Sequence, residues 1–165
     1  MDIQLNKEFA QKLSIMLQSH LIWHKHYYLW CDKIIEKFEK PPYWIIELSV
    51  TRFIGDAIDI VGSYANSEPF EKYNSTNLSD LYIACLFLRY ERREISWATF
   101  LKEAGEHSDG SGQCSQECEY FYQMLNEYEN VEFDEKTEKK QKVEVNNQFE
   151  MVISEVQELY NYFKV

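Results

Sequence analysis

The chain is poor in glycine and proline, with five and three of them in 165 residues. So few turn-formers disfavour a fold of many short strands joined by tight turns. Cysteine is sparse as well. Cys31, Cys85, Cys114 and Cys118 make no dense disulfide framework, and the first two fall in apolar helical surroundings, where a thiol serves as a small hydrophobe. The start, Met-Asp-Ile-Gln-Leu-Asn-Lys-Glu, lacks the basic residues and apolar run of an export signal, so reduced thiols and a cytoplasmic location are expected. A charge-free apolar run is missing too. The most apolar stretch, residues 43–62, contains Glu47, Arg52, Asp56 and Asp59, and central charges cost roughly 2.5–3.5 kcal/mol each on insertion; no membrane association is expected. There is no glycine-rich phosphate loop and no internal repeat.

Basic residues are absent from one long segment. Between Glu103 and Glu135 there are ten acidic residues and no Lys or Arg, within a chain of net charge −11. Such a segment repels phosphate, which excludes nucleic acid as a direct partner, and it attracts and steers a basic protein surface.

What is present is material for a core: 45% hydrophobic and 16% aromatic residues, including 12 Tyr, 10 Phe and 4 Trp. The length suits one domain, residues 1–165. Residues 41 to 65 read as a single helix, opened by Pro41-Pro42 and apolar over most of its circumference, which predicts a buried central helix over about 42–65. Gly55 and Gly62 add a small-residue strip that would let a neighbouring helix approach closely, so Gly55→Leu is expected to destabilise the fold. Apolar residues spaced by three and four predict helices over about 3–18 and 22–39, with a bend at Gln18-Ser19-His20. Further helices are expected from Ser79 to Arg89 (capped by Asn77 or Ser79), from Trp97 (capped by Ser96) to Gly105, over 117–130 (capped by Ser115) and over about 142–163. Residues 105–113 read as a flexible loop and 131–142 as a polar linker, or a frayed helix start, before a docking C-terminal helix. The expected architecture is an all-α single-domain bundle of six to seven helices around the central one.

Trp30-Cys-Asp-Lys-Ile-Ile leading into Pro41-Pro-Tyr-Trp-Ile-Ile-Glu-Leu-Ser resembles the aromatic-rich helical immunity proteins encoded beside bacterial polymorphic and contact-dependent toxins. The resemblance covers about residues 21–62. It implies a small cytoplasmic bacterial protein that binds and blocks one cognate toxin. No shared motif carries a functional residue over to this chain.

Several constellations bear on chemistry. His20 and His24 are four apart on one expected helix face, and Cys114 and Cys118 have the same spacing; two His and two Cys suit zinc, but the second cysteine lies inside a helix rather than around a turn, and no metal or other cofactor is expected. Arg52, Asp56 and Asp59 share a polar stripe, where Arg52 and Asp56 make an ordinary helical ion pair. His107, Ser108, Asp109 and Cys114 could pair a thiol with a histidine, yet acidic surroundings suppress the thiolate.

The segment from Glu117 to Asp134 interleaves tyrosine with carboxylate, the composition of a protein-binding surface. Its candidate contact residues are Glu117, Glu119, Tyr120, Tyr122, Glu127, Tyr128, Glu129, Glu132 and Asp134. Taken together, the sequence points to a non-enzymatic inhibitor that covers the basic face of a toxin, a nuclease by the logic of charge. A small helical metal protein or enzyme, and a regulatory adaptor, are the alternatives.

Overall fold

A computed structural model describes residues 4–164. The fold is all-α, with nine α-helices and no strand among the described residues. The helices gather into two compact units, one holding the chain up to Tyr73 and again from Glu158, the other Asn74–Gln157.

The first unit contains α1 (Lys7–Gln18), α2 (His24–Lys37), α3 (Tyr43–Ser49) and α4 (Ile54–Ala65), with the 3₁₀ turn Asn161–Phe163. Its core is built on Trp30, whose ring lies 5.6 Å from Phe9, 6.4 Å from Trp44 and 5.1 Å from Phe163. Lys7 is buried and donates to the carbonyls of Ser67 and Pro69 at 2.7 and 2.5 Å, which ties the loop after α4 to the start of α1.

The expected central helix does not exist as one element. It is broken at Val50–Phe53, and Ile46, Val50 and Phe53, expected inside, are 40%, 79% and 67% exposed. Hydroxyl groups take over the carbonyls at the break: Ser49 Oγ donates to Ile46 O and Thr51 Oγ1 to Glu47 O, both at 2.7 Å, and the Tyr27 hydroxyl donates to Thr51 O. Such side-chain bonds compete with continuation of the helix. Each half has a narrow buried stripe, Trp44, Ile45 and Leu48 before the break and Ala57, Val61 and Ala65 after it. At 100° per residue the two stripes fall on nearly opposite sides of one wheel; superposed, they imitate a helix apolar all round. The glycine strip is corrected with it. A methyl at Gly55 would press first on the ring of Phe53, 2.6 Å away, and one at Gly62 would meet nothing within 4 Å. No neighbouring helix needs those glycines.

The second unit contains α5 (Ser75–Glu91), α6 (Trp97–Ser111), α7 (Cys118–Asn130), α8 (Glu135–Gln148) and most of α9 (Glu150–Tyr160). Helix α6 is capped by Ser96 as expected, its Oγ accepting from Thr99 N at 3.1 Å. Other ends differ from expectation. Asn74, not Asn77 or Ser79, caps α5, accepting from the N–H groups of Thr76 and Asn77. Helix α6 runs straight through Gly105 to Ser111, and the left-handed residue that closes it is Gly112, φ 61°. Gly105 serves packing instead: a methyl there would lie 2.8 Å from Cδ1 and Cζ of Tyr122. Residues 105–113 are therefore mostly helix rather than loop. The expected linker 131–142 is mostly helix as well, because Asp134 Oδ1 accepts from Lys136 N (2.6 Å) and Thr137 N (3.2 Å) and starts α8 there. Only Gln141 and Val145 of α8 are buried, so a largely charged surface is compatible with a helix that turns one narrow stripe inward. The C-terminal helical segment is split at Phe149.

Scarcity of glycine leaves its mark on helix ends. After α1, α5 and α7 the left-handed residue is His20 (φ 61°), Arg93 (φ 61°) or Glu132 (φ 54°). At each, two backbone bonds close the turn, as in Leu21 N to Met16 O and His20 N to Leu17 O. This is the motif that normally places glycine at that position, and a side chain there costs roughly 1–2 kcal/mol. His20→Gly is therefore expected to raise stability by about 1 kcal/mol, readable as a higher urea midpoint at unchanged slope; a lower midpoint would show that the imidazole makes a compensating contact.

Candidate protein-binding surface

Helix α7 and the turn after it hold the residues singled out by the sequence. The helix starts at Cys118 with Glu117 at the cap position and no side-chain cap bond, so the expected Ser115 cap is not formed; Ser115 lies further out in the loop, its N–H donating to the buried Asp80 at 2.9 Å. Phe121, Met124 and Tyr128 are buried and Leu125 is half-buried. Phe121 packs on Phe100 of α6 and stacks on Phe149 at 6.0 Å, and Gln141 of α8 donates to Met124 O at 2.8 Å. With that face fixed, Glu117, Glu119, Glu127 and Glu129 stand exposed, as do Glu132 and Asp134 beyond the helix.

The tyrosines do not stand out with them. Tyr128 is 6% exposed and its hydroxyl donates to Glu138 at 3.4 Å. Tyr120 is half-buried with its rings neighbours Phe121 and Phe149; its buried hydroxyl has no hydrogen-bond partner, and burial, then the charge of Glu144, pushes its pKa up to about 12. Tyr122 is half-buried over Gly105. The exposed aromatic is one the sequence reading passed over. Glu132 and Phe133 are both left-handed (φ 54° and 59°), held by Glu132 N to Glu129 O and Phe133 N to Tyr128 O, and the resulting knuckle leaves Phe133 52% and Val131 44% exposed. The sequence signal for it is the apolar pair Val131 and Phe133 set among carboxylates just beyond the helix. Asp134, also in the contact set, uses one carboxylate oxygen as the cap of α8.

The remaining constellations take up structural positions. His20 lies in the turn before α2 and His24 is its first residue, so the two do not share a helix face as expected. His24 stacks on Tyr28 at 5.0 Å, and His26 Nδ1 accepts from Trp23 N at the start of α2. Cys114 lies in the loop before α7, and Cys118 is its first residue. Among the described residues no three of His, Cys, Asp and Glu converge as metal ligands would. Arg52 lies in the break before α4 rather than on it, which removes the helical geometry expected to pair it with Asp56.

Ser108 and Cys114 come together, on the end of α6 and the loop after it, whereas His107 is turned to α5. The His107 ring stacks on Tyr82 at 4.0 Å with Nε2 3.1 Å from Ser79 O; burial lowers its pKa, against Ser79 and Asp80. Ser108 Oγ donates to Gln116 O at 2.5 Å, and Cys114 Sγ lies 3.4 Å from Ser111 Oγ. Burial, then Asp80, pushes the Cys114 thiol up, while hydrogen bonds from Ser111 and Ser108 pull the other way. A thiol held protonated is a poor nucleophile; what these contacts do is pin the loop between α6 and α7.

No helix among the described residues is long and apolar enough to cross a membrane. Compared as a sequence and as a fold, the chain matches no family model, no curated protein and no solved structure.

Proposed function

We propose that the chain is a protein-binding inhibitor of the immunity type, which neutralises a cognate toxin by laying α7 and its terminal knuckle over a basic face of that toxin. The observation that carries this reading is the sorting of α7: its aromatics Phe121 and Tyr128 are buried while Glu117, Glu119, Glu127 and Glu129 remain exposed along it, and Phe133 stands exposed between Glu132 and Asp134 beyond its C-terminal end. An acidic helix ending in an exposed aromatic suits an interface in which the ring anchors and the charges steer. A nuclease must present positive charge to phosphate, so an acidic cover would gain a fast encounter and block substrate at once. The tyrosines, expected as direct contacts, serve instead to hold the helix.

The test is co-expression with the protein encoded immediately upstream. Growth arrest by that protein, relieved by this chain, is the expected result; no binding and no relief would overturn the reading. In the triple variant Glu119→Lys, Glu127→Lys, Glu129→Lys, association should slow by about tenfold or more and lose much of its salt dependence. Unchanged association would mean that α7 is not the surface.

A further inference from the structure

The break that divides the apolar stretch creates a groove in the first unit. Helices α3 and α4 flank a volume of about 620 Å³, within the range of ligand pockets, roughly 300–1,000 Å³. Trp44 and Tyr64 line it as a stacked pair, centroids 4.9 Å apart and planes within 10°. Tyr43 lines it too, yet is 73% exposed. Glu47 of α3 and Asp59 of α4 bring carboxylates from two helices, and neither has a salt-bridge partner among the described residues. Trp44 is only 6% exposed, and its indole N–H is buried without an acceptor, a donor that a backbone carbonyl of a bound segment would serve and a guanidinium, which accepts nothing, would not.

We propose that this groove holds an arginine side chain presented by a partner protein. Carboxylates attract any cation, but aromatic rings beside them favour the flat, weakly hydrated guanidinium over a compact ammonium. Its fork of N–H donors serves two carboxylates at once. A protein segment fits better than the free amino acid because α3 and the break also expose Ile46, Val50 and Phe53, apolar area that the residues flanking an arginine would cover. The site uses none of the α7 residues, so it stands or falls separately from the inhibitor reading.

The experiment follows backbone and indole resonances of the isotope-labelled full chain while the peptide acetyl-Gly-Leu-Arg-Leu-Gly-amide is added. The same peptide with citrulline or lysine at the centre, and N-acetylarginine methylamide, are added in parallel. Saturable shifts confined to α3, α4 and the Trp44 indole are expected, with the peptide binding about tenfold more tightly than the methylamide and a dissociation constant on the order of 1 mM or below. Citrulline should abolish the shifts and lysine weaken them. Glu47→Gln and Asp59→Asn should each weaken binding about fivefold or more, while Glu150→Gln, an exposed carboxylate that neither surface uses, leaves it unchanged. Spectra of α7 and α8 residues check that the variants stay folded. Equal binding of the citrulline peptide, equal loss in Glu150→Gln (diffuse attraction to an acidic chain), no advantage of peptide over methylamide, or no binding at all would each overturn the proposal.

Discussion

Trp97→Ala is expected to lower the stability of the protein by about 4–5 kcal/mol, the upper end for deleting a buried aromatic. Trp97 is 1% exposed. It stacks on Phe100 at 4.7 Å, and the rings of Phe87 and Tyr90 meet it edge-on at 6.3 and 4.8 Å. Its Nε1 donates to Gln141 Oε1 at 2.9 Å, while Gln141, itself 2% exposed, donates to Met124 O. One side chain thus links α6 to α8, and through Gln141 to α7. Truncation empties the stack and also leaves a buried amide oxygen without a donor, a penalty of roughly 1–3 kcal/mol on its own. Trp97→Phe separates the two losses, since it retains most of the ring and removes only the donor; it should cost about 2–3 kcal/mol. Urea unfolding of both variants, read by circular dichroism, checks this. Against a total stability of about 5–15 kcal/mol for proteins of this kind, the alanine variant should unfold at markedly lower urea. A cost below about 1 kcal/mol would mean that the stack collapses without loss.

The parts of this fold that were legible in the sequence are those where one residue carries the signal. Ser96 ahead of Trp97 marks a helix start because its hydroxyl has a fixed task, accepting from Thr99 N. The bend near His20 was legible as a gap in spacing. Where the signal is a sum, it misled. The wheel over residues 41–65 added two stripes of different phase, and the hydroxyls of Ser49 and Thr51 that separate them carry no periodicity. Glycine is a poor guide to helix ends here: α6 passes through Gly105, and the chain closes three helices on His20, Arg93 and Glu132. Charge over 131–142 is no sign of a linker, since a helix needs only Gln141 and Val145 inside. At the candidate surface, the exposed carboxylates of α7 follow directly from its buried face. Tyr128, expected among the contact residues, is buried with that face. The groove could not be read at all, because Glu47 and Asp59 belong to one helix in the sequence pattern and meet across a groove only once that helix is broken.

Raising the pH above about 9 should destabilise the protein, because groups held neutral in its core ionise once the chain unfolds. Cys31 and Tyr27 are both fully buried one turn apart on α2. Burial first, then the charge of Asp32, pushes the Cys31 thiol from 9.0 to about 12; burial first, then Cys31, pushes Tyr27 from 10.0 to about 12. Tyr90 moves in the same direction, through burial and then its hydrogen bond to Glu138. Each of these groups is neutral when folded and ionises more readily when unfolded. Their contribution is therefore fully present below pH 9.0 for the thiol and 10.0 for the phenols, and is lost as the pH climbs toward about 12. For Cys31 alone the loss amounts to about 4 kcal/mol by the top of that interval, a large share of what holds such a fold together. Tyr27 adds to it, and since each ionisation opposes the other the pair resists charging in the native state as a unit. The expected result is a urea midpoint that is flat up to about pH 9 and then falls steeply. Cys31→Ala tests the assignment, because it deletes the thiol proton while removing a single sulfur atom from the core. That variant should start slightly less stable and lose less stability per pH unit above 9. Parallel pH dependence in the two proteins would mean that Cys31 ionises as freely in the folded chain as in the unfolded one, and that the alkaline lability belongs to the tyrosines alone.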